Sequence, residues 1–570
     1  MRIFEAIVKA LAGIKVDAAF GGAGEQDAAL LLALNNSKTI RPVITRHEQA
    51  ASFMACGYAM YTDRLGVCFA TAGPGAFNLI SGLSVALTES YPVLAIVGAS
   101  RLKWRGKGAL HETSGLGRTP NARQIFDAVT KKAYELTDVA QTCDVLDEAV
   151  NIAFHGRPGP VLIAVPQDLA DPHVSVDNYH DIRLAIQPSS PDPASIVTVA
   201  QVIADAVRNE KQIVVLAGFG AVYSRAGADI MRLVEHLQIP VITTMDAKGI
   251  ISESDPLALG VFGEVGHASA REAYKQADVV LAVGNSFAQY DTFNFQPDMF
   301  QGKTLIHINI DPGEINKVYH ADYAIVADAR LAIAALADEV SRSLPAAQAR
   351  RYPTQGYDIE LPEVGSRIHP GDMVKSLSRL LPPNAIVLGD AGTHTPWLAF
   401  YLELSNGQTF RKVGSFGTMA GYTNGAIGVK VAHPDRVVVS GCGDGCYLMA
   451  GFELLTAVQY EIPVIWIIFD DGEFKLVRLH QLETYHEFAL TDFTNPDYVA
   501  YAKACGADAY RAETLGEFEQ AFQKALSSSK PTLIDARITR LALPPYSPSP
   551  EGLVEGLWNA IRLGVGSIVR

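Results

Sequence analysis

Cysteine is scarce: six residues, Cys56, Cys68, Cys143, Cys442, Cys446 and Cys505, in a chain of 570. That is too few for a disulfide framework at this size, and most lie in apolar segments, so they read as buried free thiols in a reducing compartment. Cys442 and Cys446 are four apart, but no second Cys or His pair lies near them to complete a metal site. No apolar run reaches the roughly 18 uncharged residues a membrane span needs. The opening Met1-Arg2-Ile3-Phe4-Glu5 leads straight into an amphipathic pattern without an apolar leader, so a cytoplasmic protein is expected. Positive charge is in deficit: 47 Lys and Arg against 61 Asp and Glu, a formal net charge of −14. With no basic excess to neutralise phosphate, nucleic acid is excluded as the main partner. Heptads and short repeats are absent.

What is present is an ordinary globular composition, 48% hydrophobic and 19% charged. At about 100–200 residues per domain the length suggests three or four domains. Short β-branched runs alternate with helical stretches from end to end, which predicts an α/β protein built of parallel sheets. Three doubly wound blocks can be cut: residues 1–180, 190–345 and 365–540, followed by a tail over 541–570. Linkers are expected at Gln187-Pro188-Ser189-Ser190-Pro191-Asp192-Pro193 and between Ser343 and Pro362. The tail carries Pro544-Pro545-Tyr546-Ser547-Pro548-Ser549-Pro550 and a short apolar helix candidate over 552–563. In the middle block the strand Gln212–Ala217 runs into Gly218-Phe219-Gly220. Tyr223 stands where a full dinucleotide fingerprint wants another glycine, so the nucleotide signal is weak.

The third block carries the strongest chemistry. The strand Val437-Val438-Val439-Ser440 enters Gly441-Cys442-Gly443-Asp444-Gly445. Helical spacing of Met449, Phe452, Leu455 and Val458 predicts the following helix. A second strand, Val464–Phe469, ends in Asp470-Asp471-Gly472. In such a βαβ unit the right-handed crossover makes the strands parallel. Asp444 and Asp471 then sit together at carboxyl ends, where open α/β sheets bind ligands. Glycines there admit phosphate oxygens close to the backbone, and carboxylate and carbonyl oxygens suit a hard cation such as Mg²⁺. Either piece alone could be a tight turn or a solvated loop.

Gly-Asp-Gly followed by paired amides resembles the signature of thiamine-diphosphate-dependent enzymes, in particular the acetolactate synthase-like branch. Here Asp470-Asp471 stands where Asn-Asn is usual, which sets an extra negative charge beside a diphosphate. The resemblance covers nearly the whole chain, in the order pyrimidine-binding domain, middle Rossmann-like domain, diphosphate-binding domain. It implies that Asp444, Asp471 and the Glu473 carbonyl hold Mg²⁺, with Gly443 and Gly445 flanking. Gly389-Asp390-Ala391-Gly392-Thr393-His394 resembles a diphosphate turn, with Gly392, Thr393 and His394 as contacts. Gly414–Gly421 resembles the loop that grips the aminopyrimidine, Met419 being the apolar wedge and Gly417 offering its carbonyl. In the first block, Thr45 and Glu48 are spaced as a helix capping box. By the resemblance Glu48 is instead the acid/base that faces the pyrimidine ring. Thr71–Asn78 resembles the Gly-Pro-Gly-x-x-Asn turn, with Phe77 toward the reacting end. Since the acid and the phosphate site come from different domains, the resemblance implies an active site between subunits of a homodimer or homotetramer.

For substrate the motifs say less. Glu25 and Gln26 lie in the loop after the first strand, which usually lines the pocket in this family. The helix after Asp471 would put Leu476 and Val477 beside the thiazolium, and His480 replaces a Trp of the anabolic enzymes. The middle-domain loop Gly284–Asp291 holds no Arg, which leaves a FAD in the middle domain open and resembles the catabolic, flavin-free form. The segment His111–Arg118 should carry an active-site Gln; none matches, and His111 and Arg118 are the pocket candidates. The resemblance thus implies decarboxylation of a 2-oxo acid, pyruvate first, with the cofactor as electron sink, and addition of the acyl unit to a second ketone or aldehyde carbonyl. The product would be acetolactate or a related tertiary alcohol. The alternatives are a C–C-cleaving enzyme with the same cofactor (diketone hydrolase or 2-hydroxyacyl-CoA lyase type), a nicotinamide-dependent dehydrogenase, and a nucleotide-sensing non-catalytic subunit.

Overall fold

The computed structural model describes residues 1–353, 361, 365–405 and 407–545. The helix candidate over 552–563 lies outside these residues. Three six-stranded, all-parallel sheets follow one another along the chain. The first comprises β1 (Ala18–Gly21), β2 (Arg41–Ile44), β3 (Gly66–Ala70), β4 (Val93–Ala99), β5 (Lys132–Glu135) and β6 (Val161–Pro166), ordered 2-1-3-4-6-5. The second comprises β7 (Ile213–Ala217), β8 (Val241–Thr243), β9 (Ala258–Val261), β10 (Val279–Val283), β11 (Thr304–Asn309) and β12 (Tyr323–Val326), ordered 12-11-10-7-8-9. The third comprises β13 (Ile386–Gly389), β14 (Thr409–Lys412), β15 (Val438–Gly443), β16 (Ile465–Asp470), β17 (Asp508–Ala512) and β18 (Thr532–Arg537), ordered 14-13-15-16-18-17. The fold class expected from the alternating pattern is the one observed.

The first and third sheets share one strand order, and each reverses direction beside its first strand. Loops leaving the strands on either side of such a reversal splay apart and form a crevice at the carboxyl edge. In the first sheet these loops follow β1 and β3; in the third they follow β13 and β15.

The middle sheet has the strand order of dinucleotide-binding folds, with its reversal between β7 and β10. Its glycines are nevertheless used otherwise. A Cβ at Gly218 would lie 2.5 Å from the Gly284 carbonyl oxygen, and one at Gly220 would lie 2.9 Å from Gly284 Cα. Gly220 N–H donates to the Gly284 carbonyl at 2.9 Å. Gly-Phe-Gly is therefore filled by the neighbouring loop's backbone, a tight turn and not an open phosphate cradle.

The first and third domains share one apolar core. Helix Glu48–Tyr61 crosses helix Gly421–Ala432 at backbone contact, because Gly57 faces the Gly425 carbonyl and Gly428 faces the Met54 carbonyl with no room for a Cβ. Tyr91 and Tyr422 join their hydroxyls across the same buried seam at 2.7 Å.

One expectation is corrected, and one alternative spacing is not realised. The helix expected from Met449, Phe452, Leu455 and Val458 is broken into Asp444–Ala450, a 3₁₀ turn Gly451–Glu453, and Leu454–Gln459. Met449 and Phe452 point outward, because the Glu453 carboxylate turns inward to receive Arg46 N–H at 3.0 Å and His47 N–H at 2.9 Å from the first domain. The capping box at Thr45 and Glu48 does not form. His47 is the cap, its Nδ1 accepting from Gln49 N–H at 3.2 Å, while Thr45 Oγ1 is buried without a partner among the described residues.

Candidate active site

The first half-site lies at the carboxyl edge of the first sheet. β2 ends at Ile44, and Glu48 opens the following helix, so its carboxyl is delivered to the crevice. Two glycines make its socket: a Cβ at Gly22 would lie 2.9 Å from Glu48 Cγ, and one at Gly75 would lie 3.1 Å from Oε1. Asn78 donates to Glu48 Oε2 at 2.9 Å. The Gly73-Pro74-Gly75 turn thus serves the acid in two ways, by leaving space and by supplying Asn78 at the end of helix Pro74–Asn78.

Gln26 is buried beside this socket, whereas Glu25 is exposed. Gln26 Oε1 accepts from Thr71 Oγ1 at 2.7 Å and meets His111 Nδ1 at 3.1 Å. Since that oxygen only accepts, His111 Nδ1 is the donor of this contact. His111 holds a left-handed backbone (φ +58°) against the Gly73 turn, a conformation that non-glycine residues adopt at a price in strain. The loop is tied by Glu112, whose carboxylate collects N–H groups from Gly106, Gly108 and Ala109 and the Ser114 hydroxyl. Those donors, Ser114 foremost, hold it well below the ordinary carboxylate range, at about 2. Arg118 is exposed and outside this cluster. Phe77 stacks on Phe126 at 5.8 Å, half-buried beneath the turn. Asp27 is fully buried behind the same loop; burial pushes its carboxyl up to about 6, against a hydrogen bond from Gly24 N–H.

The second half-site lies at the carboxyl edge of the third sheet. Asp444 follows β15; its Oδ1 accepts from Gly445 N–H at 2.8 Å, and its Oδ2 accepts from Gly472 N–H and Asn495 Nδ2, each at 2.7 Å. The Gly472 bond folds the end of β16 back onto Asp444 and brings Asp471 beside it. Asn495 also donates to Asp470 Oδ1 at 2.8 Å. Burial raises the Asp444 carboxyl, and it pushes Asp471 up to about 7 against the pull of Lys475. Glu473 is buried next to them, its side chain paired with Lys475 at 3.2 Å and Arg478 at 2.7 Å.

Across the crevice, His394 is buried at the start of helix His394–Tyr401 and leans over Gly392 and Gly443, where Cβ atoms would lie 2.8 and 3.2 Å from its ring. Its Nε2 is buried with no partner among the described residues, and burial lowers its pKa to about 4. Thr393 is half-buried immediately before it. Met419 reaches toward Gly445, whose Cβ would lie 3.2 Å from the Met419 methyl. Gly417 is left-handed (φ +63°) and exposed. Leu476 is half-buried on helix Lys475–Tyr485, and Val477 and His480 are exposed on it.

Sequence reasoning missed Asn495, Lys475, Glu112 and Glu453. Asn495 arrives from a loop 51 residues beyond Asp444, with no spacing to announce it. Asn78 was within reach as a motif member, but its partner Glu48 was not.

Comparison with known proteins fixes the class. "Thiamine pyrophosphate enzyme, N-terminal TPP binding domain" matches residues 1–117, the central domain matches 200–336 and the C-terminal TPP binding domain matches 390–536. The chain belongs to the thiamine pyrophosphate (thiamine diphosphate) enzymes. Within them it is an acetolactate synthase-like enzyme. It is 33% identical to the probable acetolactate synthase large subunit of Methanocaldococcus jannaschii, over 99% of this chain and 96% of that one. It is 32% identical to the corresponding Methanococcus aeolicus protein, over 94% of this chain and 91% of that one. The acetolactate synthase large subunit of Corynebacterium glutamicum is 31% identical, over 93% and 86%.

Proposed function

We propose that this enzyme decarboxylates a 2-oxo acid, pyruvate foremost, and joins the two-carbon unit to a second carbonyl, giving acetolactate or a related tertiary alcohol. The observation that carries this is the socket of Glu48: two glycines and Asn78 hold one carboxyl at the crevice of the first sheet. The residues of the second half-site fit thiamine diphosphate with Mg²⁺. A buried imidazole nitrogen at His394 lacks a partner beside two glycines, as a diphosphate contact requires. Asp444 is a buried carboxylate whose hydrogen-bond donors are all neutral, as a hard cation prefers. No trio of His, Cys, Asp or Glu side chains converges among the described residues. The metal would therefore rest on Asp444, Asp471, the Glu473 carbonyl and phosphate oxygens. When bound, the cofactor supplies the electron sink for loss of CO₂.

The chain's own residues do the rest. Asn78 orients the Glu48 carboxyl, which would serve as proton donor and acceptor toward the pyrimidine ring of a bound cofactor. Met419, reaching toward Gly445, would give a bound cofactor an apolar contact. His111, its ring fixed by Gln26, exchanges a proton with the substrate's oxygen. Phe77, Leu476, Val477 and His480 shape the acceptor side. We assign no role to FAD.

We further propose that the two half-sites meet between two copies of the chain. Leu448, Met449 and Phe452, beside Asp444, are 42%, 58% and 67% exposed, an apolar set suited to a partner surface. A surface hollow of about 670 Å³ is lined by other residues, among them Tyr61, Arg64 and His433.

The test is to incubate the purified enzyme with thiamine diphosphate, Mg²⁺ and pyruvate, with and without an added ketone, following CO₂ and products. Acetolactate or a mixed tertiary alcohol supports the proposal. Silence with pyruvate and other 2-oxo acids, alongside cleavage of a diketone or an acyl-CoA, overturns it.

A further inference from the structure

Lys475 is a costly residue in its position. It is the first residue of helix Lys475–Tyr485, where the positive end of the helix dipole repels a cation. It is also buried, its side chain only 6% exposed, and a buried charge is unfavourable unless paired. Its ammonium finds three acceptors: Asp471 Oδ2 at 3.4 Å, Glu473 Oε1 at 3.2 Å and the Arg540 carbonyl at 2.8 Å.

The carboxylates around the metal turn share a pattern. Asp470 pairs with Arg537, Glu473 with Lys475 and Arg478, Asp492 with Arg478 and Arg540, and Asp535 with Arg511 and Arg537. Asp471 pairs with Lys475. Among the described residues Asp444 alone of this group has no cationic partner; its donors are two backbone N–H groups and an amide.

We propose that Asp471 and Lys475 together stand in for a neutral amide in the metal-binding turn. The pair offers one carboxylate oxygen to the metal and carries no net charge, whichever partner holds the proton. Lys475 occupies Oδ2, which leaves Oδ1 for the metal. Asp444 is then the single negative charge under a divalent ion, and the bound ion keeps one net positive charge for the diphosphate. An uncompensated Asp471 would cancel it and repel the phosphates. Lys475 is thus a positioning residue, acting on the cofactor through Asp471.

This rests on the proposed cofactor, and it makes a prediction of opposite signs. In Lys475→Met the turn gains an unbalanced negative charge. Binding of Mn²⁺ alone to the apoenzyme, followed by electron paramagnetic resonance, should tighten about tenfold. Affinity for thiamine diphosphate at saturating Mg²⁺, measured by calorimetry, should weaken by about 10- to 100-fold. Adding Asp471→Asn to that variant should return both constants to within about threefold of the wild type. A merely structural lysine would weaken both ligands together and gain nothing from Asp471→Asn, and that result overturns the proposal, as does an unchanged Lys475→Met. Should Lys475→Met alone not fold, the double variant decides: wild-type-like binding of both ligands supports the pair, and loss of either overturns it. A wild-type enzyme that binds no thiamine diphosphate with Mg²⁺ would instead sink the proposed function itself.

Discussion

Glu48 and Asp27 sit in the same half-site, but their surroundings differ. Glu48 is half-buried in a socket of glycines with an amide donor. Replacing it by Gln keeps the shape and removes the exchangeable proton. Glu48→Gln is expected to lower carboligation by about 10²–10⁴-fold while calorimetric affinity for thiamine diphosphate changes little. Asp27 is fully buried, with one oxygen unpartnered among the described residues and its carboxyl raised to about 6. The folded state therefore keeps that proton to higher pH than the unfolded chain does. The stability it contributes is complete below about pH 4 and is lost as pH rises through about 6. Asp27→Asn should match the wild type in urea unfolding at pH 4 and exceed it by about 1–3 kcal/mol at pH 8. An equal difference at both pH values would contradict this assignment.

At the scale of elements, the crossing of helices Glu48–Tyr61 and Gly421–Ala432 sets where Glu48 begins and where the Met419 loop ends. Alanine is a better helix former than glycine by about 1 kcal/mol, so Gly428→Ala would stabilise an isolated helix. Here the new methyl would strike the Met54 carbonyl, a backbone atom that cannot swing aside. Overpacking should win by about 1–3 kcal/mol, seen as a lower unfolding midpoint. The broken stretch after Asp444 shows the limit of periodicity. Met449, Phe452, Leu455 and Val458 have helical spacing, but spacing does not say whether a face has anything to pack on. The Glu453 contact with Arg46 and His47 turns the chain and leaves Met449 and Phe452 outside. Asn495 shows the same limit for the site: its link to Asp444 spans a loop whose course depends on the whole third domain.

Across the whole molecule, the two crevices belong to sheets of identical strand order, and the proposed site divides between them. The contacts of Glu48 with Gly22, Gly75 and Asn78 are all within its own domain, and the proposed assembly would bring the second half-site to it from another copy. Placing a charge in the apolar patch by Phe452→Lys is expected to shift the enzyme toward monomer in sedimentation velocity and to lose activity in parallel. Retained activity in a monomer would refute assembly between copies.

The sequence by itself determined the three α/β blocks and the βαβ unit at Asp444 and Asp471, through local properties: strand and helix periods and carboxylates at strand ends. The turns at Gly392, Met419 and Gly75 were legible only through the resemblance to the thiamine-diphosphate enzymes. Tertiary structure alone decided which polar groups found partners. It gave Glu48 its socket, joined Gln26 to His111, set Lys475 against Asp471, brought Asn495 to Asp444, and closed Gly218 and Gly220 on Gly284. Those outcomes depend on burial and on strands from distant parts of the chain meeting at one edge, where the energy of a charge or a hydrogen bond is set by its surroundings and not by its place in the chain.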